Sequence, residues 1–251
     1  MNWTEEKLAK LPTKGGFRMR GENMTRIEVF SDAAFAFAVT MLVVSLSSIP
    51  QNFTELVEAI KGVPAFASSF ACIMVFWGAH RSWSRRFGLE DGISTTLTLC
   101  LIFIILIYVY PLKIMMTSMF YWISGGWFPS KFLVANASEM TGLIIMYGVG
   151  VMAVAATQLG LYLRVKNLSE SLSLNPLERI RVDLECATWL IHVVVSLLSV
   201  IVGLLFYHAP HGYLAAFLYL LLPLCIPFVL MHFKKKEKAL PKEMKLDTLT
   251  E

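Results

Sequence analysis

Arg26-Ile27-Glu28-Val29-Phe30-Ser31-Asp32, running straight into the apolar segment from Ala33 to Ile49, is the stretch on which the reading of this chain turns. Three ionisable side chains, Arg26, Glu28 and Asp32, stand at the mouth of a segment otherwise composed for hydrocarbon. Charge inside a bilayer is costly, so such groups tend to be paired and functional. Wound as a helix at about 100° per residue, the segment sorts into two faces. Arg26, Phe30, Ala33, Phe37, Thr40, Met41, Val44 and Ser48 share one stripe, while Glu28, Asp32, Phe35, Val39 and Val43 fall on the far side. A stripe that begins with a cation, continues apolar and carries a mid-length hydroxyl suits the lining of a narrow pore. It also suits ordinary helix–helix packing, the commoner use of such a face. The residues alone leave both readings open.

The rest of the composition agrees with a membrane setting. The 251 residues are 56% hydrophobic and only 16% charged, against about a quarter charged in soluble domains. Mean hydropathy is +0.62. An integral membrane protein is the class that fits. Cys72, Cys100, Cys186 and Cys225 each sit inside an apolar run, with neither metal-ligand spacing nor the clustering of a disulfide scaffold, and read as small buried hydrophobes. The first 21 residues are polar and basic and lack the apolar core of a cleavable signal, so the first span is expected to stay in the mature protein.

Taken in order, residues 1–24 form a polar leader, expected to be mobile. Six membrane spans follow, at about 25–48, 62–80, 92–112, 140–163, 186–206 and 212–233, within an all-α domain covering 25–233. Pro50-Gln51-Asn52 closes the first span into a short polar turn through Glu58, and Pro64 suits the first turn of the second. Arg81, Arg85 and Arg86 make a basic loop, and the third span ends at Pro111. The 114–139 connection is rich in aromatics, and Tyr121, Trp122 and Trp127 suit a headgroup-level belt. Asn175-Pro176 reads as a helix start at Leu177-Glu178-Arg179. Tyr207-His208-Ala209-Pro210-His211-Gly212 divides an uncharged run too long for one crossing, and residues 234–251 form a charged, solvated tail.

The basic residues set the orientation. With the N-terminus inside, the inner segments hold Arg18, Arg20, Arg26, Arg81, Arg85, Arg86, Arg164, Lys166, Arg179, Arg181 and the lysines from 234 onward. The outer loops hold little beyond Lys61 and Lys131. Both termini are therefore expected in the cytoplasm, in a multi-pass protein of the cell membrane.

Arg26, three intervening residues and then Phe30-Ser31-Asp32 at the start of a first span resemble the signature of the transmembrane protein 175 family of potassium channels. Ala33, Ala36 and Thr40 extend the likeness, and Phe76-Trp77-Gly78-Ala79-His80-Arg81 resembles that family's second-helix ending. The likeness is sharp over Arg26 to Leu46 and fair over Phe66 to Arg86; beyond there it rests on helix count. The resemblance implies a passive potassium channel without cofactor, potassium being the permeant ion. The signature occurs once, and one helix cannot enclose a pore, so several chains must share an axis. Single-copy members of the family are tetramers, which implies a homotetramer here with the first span lining the pore.

The resemblance also implies roles. Phe37, Met41 and Val44, spaced i, i+4, i+7, correspond to a hydrophobic constriction, which blocks ions by dewetting. Phe37 stands where the family usually shows Ile or Leu, a departure that bears on gating. Thr40 offers a hydroxyl to the same axis; bonding back to the Ala36 carbonyl is the other use of that group. Asp32 is expected to anchor the first span to its own subunit through Trp77 and His80, completing a network with Arg26, Phe30 and Ser31.

Tyr147-Gly148-Val149-Gly150 has the wrong order and setting for a potassium filter, and its glycines read as close-packing positions. His192, with Ser196 and Ser199, reads as a satisfied core histidine, and His208 and His211 as solvated. No nucleotide loop, zinc motif or hydrolase elbow occurs, which argues against an enzyme, and nothing points to nucleic acid. A proton-coupled secondary transporter is the alternative; internal repeats and broken midplane helices, common in that class, are not evident. A lipid-modifying enzyme would need convergent acids, histidines or metal ligands at one depth.

Overall fold

The computed structural model describes residues 3, 5–21, 23–44, 49–132 and 134–241. Among them, six helices are long and apolar enough to cross a membrane. The chain begins with a short helix α1 (Glu5–Ala9) and a two-residue hairpin, β1 (Thr13–Lys14) against β2 (Phe17–Arg18). The first span is α2 (Arg26–Val44), followed by a short α3 (Phe53–Lys61) and the second span α4 (Val63–Phe87). Then come α5 (Gly92–Ile123), α6 (Ala137–Asn167) and α7 (Pro176–Leu205). The sixth crossing joins a 3₁₀ stretch (Gly212–Leu220) to α8 (Leu221–Ala239). The expected 45–48 end of the first span and residues 242–251 of the tail lie outside the described residues.

Several boundaries differ from the sequence expectation, and the differences share a cause. The polar turn through Glu58 is the helix α3, capped by Asn52, whose side chain accepts from the Glu55 N–H at 2.9 Å. Arg81, Arg85 and Arg86 are helical rather than in a loop, and α4 ends only at Gly88, in the left-handed conformation (φ 56°). The third span passes through Pro111 and continues to Ile123. In hydrocarbon, breaking the helix there would strip water-free backbone of more hydrogen bonds than the single one proline removes. The fifth span starts at Pro176, ten residues before its apolar run, with Asn175 and Glu178 forming a reciprocal capping box. Hydropathy marks the apolar centre of each helix, and capping sets its ends.

Two buried clusters hold the bundle. One, at the end nearer the leader, gathers Trp83, Phe87, Tyr162, Val182 and Trp189 around Phe17. The other packs Phe35, Ala38 and Leu42 of α2 against Ile73 of α4, Leu101, Ile105 and Tyr108 of α5, and Val154 of α6. Gly148 and Gly150 are close-packing positions, as their sequence setting implies. A Cβ on Gly148 would come 2.8 Å from Val200, and Gly150 lies directly under the Tyr108 ring. The four cysteines are unbridged; Cys100 is exposed and the others half-buried, so none is the fully buried hydrophobe expected. His192 bonds the Thr188 carbonyl of its own helix at 2.8 Å, and His208 and His211 are exposed.

The leader is the main correction. It is docked rather than mobile. The Arg20 guanidinium and the Glu178 carboxylate form a two-pronged pair at 2.9 and 2.8 Å, with both side chains fully shielded. Arg20 Nε also donates to the Leu172 carbonyl at 3.0 Å, and the Arg18 N–H donates to Glu178 at 2.8 Å. The backbone N–H groups of Arg20 and Gly21 donate to the Arg86 and Arg85 carbonyls, which the end of α4 leaves without helical partners. Gly21 is required at this crossing, because a Cβ there would run into the Ser84 carbonyl oxygen.

Basic residues gather at this same end in ion pairs. Arg86 meets Glu185 at 2.8 Å, Lys166 meets Asp183 at 2.7 Å, and Arg181 meets Glu237 at 2.9 Å. Arg164 meets Asp91 at 3.0 Å, just before α5. Burial pushes the Asp91 carboxyl up, but the Ser94 hydroxyl and the Arg164 guanidinium outweigh it and hold the group below its usual range.

Candidate functional site

The first span packs one face against α4 and α5 and leaves the opposite face open. Glu28, Ser31, Phe35, Ala38 and Leu42 are buried. Arg26, Phe30, Ala33, Phe37, Thr40 and Val44 are exposed, Phe37 at 56% and Val44 at 70%. The far side named from periodicity is rotated in the structure. Ser31 takes its centre, Asp32 and Val39 sit on the flanks, and Val43 is exposed. Small side chains at the contact (Ser31 and Ala38 on α2, Ala65 and Ser69 on α4) are among the most buried, as close helix packing in lipid requires.

Of the three residues named for a constriction, Phe37 and Val44 lie on the open face. Met41 is half-buried and leans onto the core cluster around Leu42. The Thr40 hydroxyl donates to the Ala36 carbonyl at 3.0 Å while remaining exposed, so its oxygen still presents lone pairs along the open face. Ser48 lies outside the described residues.

At the base of the span, the Trp77 indole N–H donates to Asp32 Oδ1 at 2.7 Å, joining the first two spans. Arg81 stacks over the Trp77 ring at 5.1 Å, which keeps the indole oriented. His80 does not complete this bond. Its Nε2 pairs with the Thr98 hydroxyl of α5 at 3.1 Å, and it meets Asp32 only through the electrostatic field. The reason is lateral position, since His80 points into the α4–α5 contact and is 3% exposed. Ser31 donates to the Glu28 carbonyl at 2.8 Å, so it too contributes packing rather than a link to Asp32. Glu28, not singled out from the sequence, is 5% exposed and faces Ser84 and Arg85 of α4. Its charge at the mouth of the span was the one available signal.

Replacing Trp77 with Phe keeps the ring under Arg81 and removes the donor to Asp32. Hydrogen bonds to charged groups contribute about 1.5–3 kcal/mol. The variant is expected to melt several degrees below wild type in detergent, whereas an unchanged melting temperature would mean that solvent replaces the bond.

Among the described residues no group of three His, Cys, Asp or Glu side chains can hold a metal ion. The arrangement offers an apolar open face with a cation at its base, tied near that base to the second span by the Trp77–Asp32 hydrogen bond.

The family model described as the endosomal/lysosomal potassium channel TMEM175 matches residues 26–111, the stretch that holds this face and its anchor. A protein from Marivirga tractuosa named "Potassium channel" is 34% identical over 236 residues, covering 89% of this chain and 94% of that one. The chain belongs to the TMEM175 family. Its architecture agrees with a crystal structure of the potassium channel MtTMEM175, a threonine-to-alanine variant in complex with a nanobody–MBP fusion. The TM-score is 0.76 at 30% identity, covering 91% of this chain and all of that one. TMEM175 membership thus rests on the full six-span bundle as well as on the first two spans and most of the third.

Proposed function

We propose that this TMEM175-family protein conducts potassium passively as a homotetramer, with the open face of α2 lining a central pore. The observation that carries the reading is the composition of that face. It is uncovered in the protomer, yet it bears Arg26 at its base and Thr40 midway, polar groups that hydrocarbon disfavours. The names of the similar proteins supply potassium. In this reading Phe37 and Val44, flanked by Met41, form a hydrophobic constriction, and Thr40 hydroxyls sit between them. Asp32 and Trp77 act as positioning residues that hold α2 against its own subunit. No cofactor and no chemical turnover are involved. In this reading the end bearing the leader and the paired arginines faces the cytoplasm, so both termini are cytoplasmic.

Potassium efflux from loaded liposomes tests the proposal. Flux is expected to follow the potassium gradient without saturating at millimolar concentrations, and to be indifferent to an imposed pH gradient. Saturating flux driven by a pH gradient would instead identify a proton-coupled carrier. A folded oligomer with no flux in either assay would remove the channel reading.

A further inference from the structure

The base of the first span is held by more than the Trp77–Asp32 bond. Two turns beyond Trp77 on α4, Ser84 and Arg85 serve α2 and the leader at once. Their side chains face the buried Glu28 carboxylate in the first turn of α2. Their backbone serves the leader, because the Arg85 carbonyl accepts the Gly21 N–H at 3.1 Å and Gly21 packs directly on the Ser84 carbonyl. Only four residues, 22–25, separate Gly21 from Arg26. The last of them, Thr25, caps α2 by accepting the Glu28 N–H on its hydroxyl at 3.2 Å. The leader and the base of α2 are therefore seated side by side on one turn of α4.

The far side of the leader is anchored elsewhere in the bundle. Phe17, buried in the core, meets the Phe87 ring edge-on at 5.7 Å and lies under the Arg86 guanidinium at 4.4 Å. Arg18 and Arg20 reach Glu178 in the first turn of α7, and Arg20 also reaches the Leu172 carbonyl before it. The first span itself packs on α4 and α5. The leader thus adds a tie from α2 to α7. A fully shielded ion pair gains little net stability over apolar packing, and its best-attested use is to fix one arrangement over others. With the leader seated, the base of α2 can swing only as far as a four-residue link allows.

From this arrangement we infer that the docked leader is a positioning element for conduction, which restrains the base of α2 and so keeps the Phe37 constriction narrow. Phe37 stands nine residues beyond Glu28, about 14 Å along the helix, and a rigid helix carries a swing at its base to that level. The restraint follows from the contacts of the leader, while its effect on flux rests on the channel reading.

Lengthening the link tests the inference without touching either anchor. Three glycines inserted between Asn23 and Met24, both exposed, add about 10 Å of reach and leave the leader, the Thr25 cap and the bundle contacts in place. The melting temperature is expected to stay within about 2 °C of wild type. Amide exchange over residues 29–32 of the intact oligomer is expected to rise about tenfold, with α4 unchanged. Unchanged exchange over 29–32 would overturn the restraint, whether or not any form conducts. In potassium-loaded liposomes the insertion is expected to raise flux about threefold, and to add nothing further in the Phe37→Ala background, because both changes relax the same constriction. One inserted glycine should give intermediate exchange and flux. Equal or lower flux, the same gain on top of Phe37→Ala, or flux that tracks melting temperature rather than link length would each overturn the proposal. If no form conducts, Phe37→Ala included, the channel reading fails and the exchange measurement alone decides whether the leader restrains α2.

Discussion

Glu178→Gln is expected to lower the melting temperature of this protein by about 10 °C and to expose its leader to protease. The substitution keeps the volume of the side chain and removes its charge. Arg20 then remains fully shielded from solvent, without its counterion. Breaking a buried pair from one side costs about 3–5 kcal/mol, because the surviving charge is stranded. Glu178 also receives the Arg18 and Asn175 N–H groups, so the leader, the α6–α7 connection and the start of α7 weaken together. Removing both charges (Arg20→Met with Glu178→Leu) is expected to recover most of the loss, since apolar replacements of buried pairs are often near neutral. If Glu178→Gln melts within 1 °C of wild type (a threshold of about that size suffices given the expected shift) and its leader stays protected, the pair contributes no net stability. Melting in detergent and limited proteolysis beyond Arg18 and Arg20 measure the two effects separately.

Phe37→Ala is expected to raise potassium flux about tenfold or more, equivalent to removing about 1.4 kcal/mol from the barrier to conduction. Phe37 is 56% exposed in the protomer, so its truncation leaves the fold of the subunit almost untouched. In the proposed tetramer its effect lies in the ring that four copies would make around the axis. Removing the rings widens that constriction and weakens dewetting. Met41→Ala provides the contrast. Met41 leans onto the core around Leu42 and Ile73, so its truncation is expected to lower the melting temperature as well as to alter flux. Equal flux from wild type and Phe37→Ala, in folded and oligomeric protein, would move the open face of α2 to the lipid and the conduction path elsewhere.

The first span illustrates what periodicity can and cannot resolve. The stripe from Arg26 through Phe30, Ala33, Phe37 and Val44 is exposed as a unit, and helical spacing alone groups those residues. Spacing did not separate Asp32 and Val39 on the flanks from Ser31 at the centre of the buried face. In lipid both sides of a helix are apolar, so hydropathy carries no inward signal and small residues mark the contact instead. The Trp77–Asp32 bond was legible because each residue stands out chemically at matching depth. His80 shares that depth, but which way it points depends on Thr98, a residue of another helix.

By itself the sequence determined the class of this protein, its six crossings, the signature on the first span and the segregation of basic residues to one end. These follow from local composition, because each crossing must satisfy its own backbone and cover itself with apolar side chains. Only the tertiary structure decided that the leader is docked. Arg20 and Glu178 are 158 positions apart, and nothing in the neighbourhood of either predicts a shielded pair. A cleft lined by Lys113 of α5 and Lys131 of the 129–132 loop, among others, is of the same kind. It exists because α3, α5 and the 129–132 loop meet in space, and contacts between distant segments are settled by packing rather than by local pattern.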